Sequence, residues 1–330
     1  LRFTLLSMAS PGRDVKLSEQ RVKGYRNFLT KLWNVNNFLN VNKCNFKGHL
    51  RLTKNSLNIN KWIYSELINT KNIAEGCIKN YRFDEASKVI YKFVWNSYCD
   101  WYLELSKTIL FSKNKKQIQE VKNTSGLIFK EILILLHPFI PFITEELWLK
   151  NKLGTKKDKF LMYTSWFKGK KIQPEDEIKN VNQVIQVISL LRSFKNELNV
   201  SPGSFVDVSI GSVSKKKQNV FLKNEVILKK LGRINSIYTQ DLNTESASLV
   251  ISGEIFKIYF DKSVDLNLIR DNLTKKKRKF SDELEVISKR LDNKSFVERA
   301  PKHIVEQEKN TYNELKNDMD KINLTIKSLK

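Results

Sequence analysis

The sequence predicts a mainly α protein: an antiparallel helical bundle, then a small α/β unit, then a C-terminal antiparallel coiled-coil hairpin. Three observations predict it. Apolar residues recur at helical spacing over most of residues 18–150. Short segments between 205 and 260 alternate apolar and polar residues, as half-buried strands do. From Leu266 onward apolar residues return every seven, the period of a two-helix seam.

The first helix is expected over 18–40, with Val22, Tyr25, Phe28 or Leu29, Leu32, Val35 and Leu39 on its inward face. Ser18 suits its N-cap, although Arg21 stands where a capping box would have an acid. A second helix is expected over 58–79, a third from Asp84 to Leu110, and a fourth from 115 to His137. Pro138 and Pro141 end the fourth, and TEELW opens a short further turn. Residues 154–175 lose all periodicity and read as a linker. A helix follows over 181–200, stopped by Ser201-Pro202-Gly203. FVDVSI (205–210) reads as a strand, and 220–231 as a helix with Gly232 as its C-cap. SLVI and EIFKIYF flank Ser252-Gly253 and predict a hairpin.

In the C-terminal stretch Leu266, Leu273, Phe280 and Ile287 are spaced by seven, with Leu284 and Leu291 offset by four. Arg270 and Lys277 are polar entries in that seam. After NKSFVERAP (293–301) the pattern resumes at Val305, Tyr312, Leu315, Met319, Ile322, Ile326 and Leu329. Two seams around a Pro-containing break predict an intrachain hairpin; an intermolecular coiled coil is the alternative. Pro301 suits the first turn of the returning helix, and Phe296 and Val297 an apolar plug at the bend.

The 330 residues carry 59 Lys and Arg against 35 Asp and Glu, a formal charge of +24. Such an excess points to a polyanionic partner. An AT-rich genome would also enrich Lys, Asn and Ile, but it would not cluster the lysines. Cys44, Cys77 and Cys99 lie far apart, and His49, His137 and His303 make no ligand-like spacing with them, so no zinc site is expected. Sparse cysteines fit a reducing cytoplasm. The longest apolar run, ILILLHPFIPFI, is broken by two prolines, and no membrane association is expected. No phosphate-cradling loop, catalytic triad or metal constellation can be picked out, so no catalytic residue is assigned.

Five segments carry a resemblance. They are ASPGRDVKLSEQRVKGYRNFLTKLWN (9–34), YRFDEASKVIYKFVWNSYCDWYLEL (81–105), LLHPFIPFITEELW (135–148), LLRSFKNELNVSP (190–202) and LDNKSFVERAPKHIVEQEK (291–309). In this order they resemble the C-terminal part of the valyl-tRNA synthetase family, a class I aminoacyl-tRNA synthetase. Leu1-Arg2-Phe3 resembles the end of the family's Asp-Ala-Leu-Arg-Phe segment. Isoleucyl and leucyl synthetases share the bundle but do not typically end in the arm.

The resemblance implies an anticodon-binding helical bundle at 18–153, preceded by the tail of the catalytic region at 1–17. It implies a linker at 154–175, a small α/β domain at 176–264 and a coiled-coil tRNA-binding arm at 265–330. The whole enzyme would join valine to tRNA(Val) through an aminoacyl-adenylate, using ATP with Mg. The family's His-Ile-Gly-His and Lys-Met-Ser-Lys-Ser signatures are absent here, as is the editing domain. The ATP site is therefore expected outside these residues, and the piece alone is expected to be inactive. Its expected partners are tRNA(Val) and the N-terminal catalytic and editing domains of the same chain; it is expected to be a monomer. The alternatives are a free-standing tRNA-binding module derived from a synthetase and the equivalent part of an isoleucyl or leucyl synthetase. Trp166-Phe167 departs from the family's usual Trp-Pro.

Two sets of residues are candidates for RNA contact. On the first bundle helix and the loop after it they are Arg26, Asn27, Lys31, Asn34, Asn37, Lys43 and Lys47. Amides can read base edges, and Lys or Arg can hold phosphates. On the arm they are Lys275, Lys276, Lys277, Arg278, Lys279, Lys289, Arg290, Lys294 and Arg299. A helical rod is too wide for the deep groove of A-form RNA, so these would meet the backbone. Phe93, Trp95, Trp101 and Tyr102 recur at helical spacing and are expected to fill the core rather than to stack on bases. Asp100 is expected to be buried and paired, and His137 to be packed or capping.

Overall fold

The computed structural model describes residues 1–10, 12, 14–15, 17–48, 52–53, 55–154, 159–166, 169, 175–260, 266–293 and 302–328. The chain forms two compact units, Leu1–Gln183 and Val184–Lys330.

The first unit is helical. Its helices are α1 (Arg2–Met8), α2 (Glu19–Val41), α3 (Asn58–Lys79), α4 (Phe83–Lys92), α5 (Leu103–Leu110), α6 (Lys115–Leu136) and α7 (Pro141–Lys150). Local chemistry sets several of their ends. Ser18 Oγ accepts from the Arg21 amide at 3.4 Å, and Asn114 Oδ1 from the Gln117 amide at 3.2 Å. Pro141 occupies the first turn of α7, where its missing N–H costs nothing. Glu120 Oε1 accepts from the Leu57 amide at 2.7 Å and from Asn60 Nδ2 at 2.8 Å, which caps α3 from α6. Phe28, Leu32, Leu39, Ile63, Leu67, Ile90, Phe129 and Leu133 form the shared core.

One expectation is corrected. The stretch from Asp84 to Leu110 is not a single α-helix, because Phe93–Tyr102 between α4 and α5 is a π-helix. Such i→i+5 segments are rare and follow from tertiary packing rather than propensity. Here the wider turn carries the aromatics inward. Tyr98 Oη donates to the Ser125 carbonyl at 2.7 Å and Tyr102 Oη to Asn60 Oδ1 at 2.8 Å, so both buried phenols are satisfied.

Helix α8 (Glu175–Glu197) leads into the second unit. There follow β1 (Val206–Ser209), α9 (Lys215–Lys223), α10 (Glu225–Gly232), β2 (Ile234–Tyr238), β3 (Ala247–Ile251) and β4 (Glu254–Phe260). The sheet order is β2-β1-β4-β3, with β1 and β2 parallel and the other pairs antiparallel. Ser252 and Gly253 both have positive φ, 49° and 79°, as a tight hairpin turn demands. The helix expected over 220–231 instead starts at Lys215 and breaks at Asn224, whose side chain donates to the Val220 carbonyl. Gly232 is not the left-handed cap: that residue is Arg233 (φ 54°, ψ 51°). Gly232 is glycine for another reason, since a Cβ there would come within 3.1 Å of Ile234 Cδ1.

The C-terminal helices α11 (Leu266–Asp292) and α12 (Lys302–Ser328) pack along each other. They run antiparallel: Arg290 pairs with Glu308 at 3.2 Å, while Leu273, Lys276 and Phe280 share a small cavity with Asp318 and Ile322. Leu273, Leu284, Ile287, Val305 and Ile322 are buried. Lys277 is exposed rather than held in the seam, and Arg270 is half-buried. Phe296, Val297 and Pro301, expected at the bend and the start of the returning helix, lie outside the described residues.

Candidate nucleic-acid interface

Helix α2 carries most of the first candidate set. At about 100° per residue, Arg26, Asn37, Asn34, Asn27 and Lys31 fall within an arc of about 140°. Phe28, Leu32, Val35, Asn36 and Leu39 bury the other side of the helix. Arg26, Asn27, Asn34 and Asn37 are exposed, and among the described residues their side chains make no hydrogen bond or ion pair. The stripe is thus a run of amides with one free guanidinium.

Lys31 differs. Its Nζ lies 2.5 Å from Asp100 Oδ1 and 3.9 Å from the centre of the Trp95 ring. Trp95 and Asp100 are five apart on the π-helix, and i→i+5 bonding stacks residue i beneath residue i+5. The π-register therefore aims both at one ammonium. Asp100 is paired as expected, but it is exposed rather than buried. Trp95 and Trp101 are half-buried, and Phe93 and Tyr102 are buried, within the bundle.

The loop after α2 continues the stripe by alternation. Cys44 and Phe46 are buried; Lys43, Asn45 and Lys47 are exposed. Phe46 packs edge-on against Phe129 of α6 at 6.3 Å, and burial pushes the Cys44 thiol up to about 11. The Asn45 amide donates to the Lys122 carbonyl at 3.3 Å. Beneath it lies Gly126, where a Cβ would stand 2.1 Å from the Asn45 carbonyl oxygen. Helix α6 thus has no side chain at a position where the loop backbone rests on it. The far end of α2 is held by amides: Asn151 Nδ2 donates to the buried Asn36 Oδ1 at 2.6 Å, and Asn40 Nδ2 to Asn151 Oδ1 at 3.0 Å.

On the arm, Lys275, Lys277, Arg278 and Lys279 are exposed and make no ion pair among the described residues. Lys276 is half-buried, 5.5 Å over the Phe280 ring. Lys289 pairs with Glu285 at 2.7 Å and Arg290 with Glu308. Lys294 and Arg299 lie outside the described residues. His137 Nδ1 sits 2.9 Å from Thr144 Oγ1, a packing contact that bridges α6 and α7. Burial holds its imidazole below the usual range. Among the described residues no group of three or more His, Cys, Asp or Glu could hold a metal ion, and no helix is long and apolar enough to cross a membrane.

Sequence reasoning missed Gly126 and Asn36, and it expected Asp100 to be paired without naming Lys31 as the partner. Gly126 lies in a helical run where glycine gives no periodic signal. Asp100 meets Lys31 across 69 residues. Asn36 reads as one more surface amide, yet it is fully buried.

A helical bundle with an amide-bearing and cationic edge, a small mixed sheet and a two-helix arm define a modular, mainly helical protein with candidate RNA-contact surfaces on the bundle and the arm. Residues 60–210 match the anticodon-binding domain of tRNA ligase, and residues 265–330 match the valyl tRNA synthetase tRNA binding arm. The chain is 60% identical over 329 residues to the valine–tRNA ligase of Pelagibacter ubique (strain HTCC1062), covering 100% of this chain and 38% of that protein. It is 36% identical over 334 residues to the valine–tRNA ligase of Bartonella henselae, covering 100% and 36%. With that of Agrobacterium fabrum it shares 35% over 323 residues, covering 96% and 33%. The chain thus spans little more than a third of the length of these relatives. It belongs to the valyl-tRNA synthetase family and carries that family's anticodon-binding domain and tRNA-binding arm.

Proposed function

We propose that this chain is the tRNA-recognition part of a valine–tRNA ligase, acting as a monomer on tRNA(Val). The bundle, assigned to residues 18–153, holds the anticodon limb through the outer stripe of α2 and the loop to Lys47. The α/β domain, 176–264, joins it across the 154–175 linker to the arm, 265–330. The arm works as a coiled-coil hairpin along the outer face of the folded tRNA. Valine activation with ATP and Mg belongs to residues outside this chain. The chain's own contribution is position: two modest contacts on one tRNA raise the effective concentration of the second. Holding the RNA in register lowers the entropic part of the barrier at a distant reacting end.

The observation that carries this reading is the row of exposed amides and one guanidinium on α2 that no side chain among the described residues satisfies. Amides left open at a rigid helix suit the edges of unstacked loop bases. Binding of a fluorescent tRNA(Val) transcript to the 330-residue chain tests it. Arg26→Ala combined with Asn34→Ala and Asn37→Ala should weaken binding tenfold or more, at about 1–3 kcal/mol for each good contact. Lys31→Ala should leave the salt slope unchanged, because Asp100 already neutralises that ammonium. Wild-type affinity in the triple variant would refute the reading.

A further inference from the structure

Phe205 stands at the entry to β1 and is 51% exposed, an outward-facing aromatic beside the inward-facing Val206. Arg233, at the entry to the parallel strand β2, lies across from it with its guanidinium carbon 5.6 Å from the centre of the ring. Both are fixed from below by one side chain. Lys195 of α8 is 1% exposed, and its Nζ donates to the carbonyls of Ser204 at 2.9 Å, Gly232 at 3.1 Å and Arg233 at 3.3 Å. The residue before Phe205 and Arg233 itself are therefore tied to the same ammonium. The Val206 amide adds a bond to the Arg233 carbonyl at 3.1 Å.

Two further features set the pair apart. Arg233 keeps a left-handed backbone, φ 54°, that glycine would adopt at no steric cost. The glycine stands one residue earlier, where a Cβ would come within 3.1 Å of the Ile234 side chain. Burial, and after it the like charges of Arg233 and Arg192, also bring the pKa of Lys195 down to about 8. The carboxylate on the Phe205 side, Asp207, is occupied by Asn235 Nδ2 and the Ser236 amide. A rigid aromatic stands beside a guanidinium that is carried on a left-handed backbone and has no carboxylate partner among the described residues.

We propose that Phe205 and Arg233 form a binding site for one unstacked RNA nucleotide, its base on the exposed part of the Phe205 ring and its phosphate on the Arg233 guanidinium. Lys195 is the positioning residue. Stacking on an aromatic tolerates any base, and the guanidinium takes the phosphate on its planar fork. The site deepens the tRNA-recognition reading and rests on it, adding to the second unit a contact separate from the α2 stripe and the arm.

Binding of the tRNA(Val) transcript to the 330-residue chain, measured over a range of salt, tests the site. Phe205→Ala should weaken binding about fivefold or more, with the salt slope unchanged. Phe205→Tyr should keep wild-type affinity. Arg233→Gly should weaken binding by a similar factor and lower the salt slope by about one. Its melting temperature should not fall, because glycine suits the left-handed position, so lost binding would not be lost folding. Near-wild-type affinity in either Phe205→Ala or Arg233→Gly, with binding still weakened by the α2 triple variant, would overturn the site and leave tRNA recognition standing. A wild-type chain that binds no tRNA would overturn both.

Discussion

Gly126→Ala should destabilise the bundle, although on helix propensity alone it would stabilise α6 by about 1 kcal/mol. The added Cβ would stand 2.1 Å from the Asn45 carbonyl oxygen, 2.6 Å from its carbonyl carbon and 3.2 Å from its amide nitrogen. All three are backbone atoms, so no side chain can swing aside. Reaching an ordinary carbon–oxygen contact needs a shift of about 1 Å, and the loop carries buried Cys44 and Phe46 with it. Overpacking of this kind costs about 1–3 kcal/mol. For a body of this size that is a loss of roughly 2–4 °C in melting temperature per kcal/mol. Gly76→Ala in α3 is the internal control. It meets nothing within 4 Å and should raise the melting temperature slightly. Thermal melts of the three proteins, followed by tRNA binding, distinguish the outcomes. Because Lys43 and Lys47 ride on the displaced loop, Gly126→Ala should also weaken RNA binding where Gly76→Ala does not. If Gly126→Ala proves as stable as Gly76→Ala, the loop is not seated on α6 as described.

Two other outcomes are expected. Glu131 has no hydrogen-bond partner among the described residues, and burial pushes its carboxyl up from 4.5 to about 7. Its folded pKa lies above its unfolded one, so its favourable term is complete below about pH 4.5 and is lost as pH climbs through 7. Glu131→Gln should therefore melt higher than wild type at pH 8, by up to roughly 3 kcal/mol of stability, with the difference vanishing near pH 4; equal gains at both pH values would contradict this. On the arm, changing Lys275, Lys277, Arg278 and Lys279 to Gln should lower the salt slope of tRNA binding by up to about four. Affinity should fall to a similar extent for cognate and non-cognate tRNAs, and an unchanged slope would remove the arm as a backbone contact.

Where sequence and structure agree, periodicity carried the information. The first, second and fourth bundle helices fall within a residue or two of their expected bounds, because burial of one face writes a 3.6-residue repeat. Ser18 and Ser252-Gly253 were legible because a cap and a tight turn are local. The misses have non-local causes. Strand β2, INSIY, has too few alternating apolar residues to signal itself and forms by pairing with β1. The π-helix follows from what its aromatics must reach on α3 and α6. Gly232 looked like a cap because glycine commonly is one; here close packing against Ile234 claimed it, and the cap passed to Arg233. For the candidate site, sequence could name the polar faces of α2 and α11 but could not say which cations were already neutralised.

That last distinction changes how the interface divides its work. A Lys or Arg is available to a phosphate only if no carboxylate already holds it. By that test Lys31, Lys289 and Arg290 recede, since each has an acid within about 3 Å. Among the described residues Arg26, Lys43, Lys47 and the five cations of the 275–279 run remain. Helix α2 is then mainly amide, with charge added only by Arg26 and by the loop's Lys43 and Lys47, whereas the arm's candidates are all charge. Amides discriminate because a wrong base leaves a polar group unpaired; bare cations hold any backbone alike. Sequence discrimination should therefore concentrate on α2, and salt sensitivity on the arm. The Lys31–Asp100–Trp95 clamp fits that division. It uses a cation to tie α2 to the π-helix, and so keeps the amide row rigid where a mobile charge would have held RNA without discrimination.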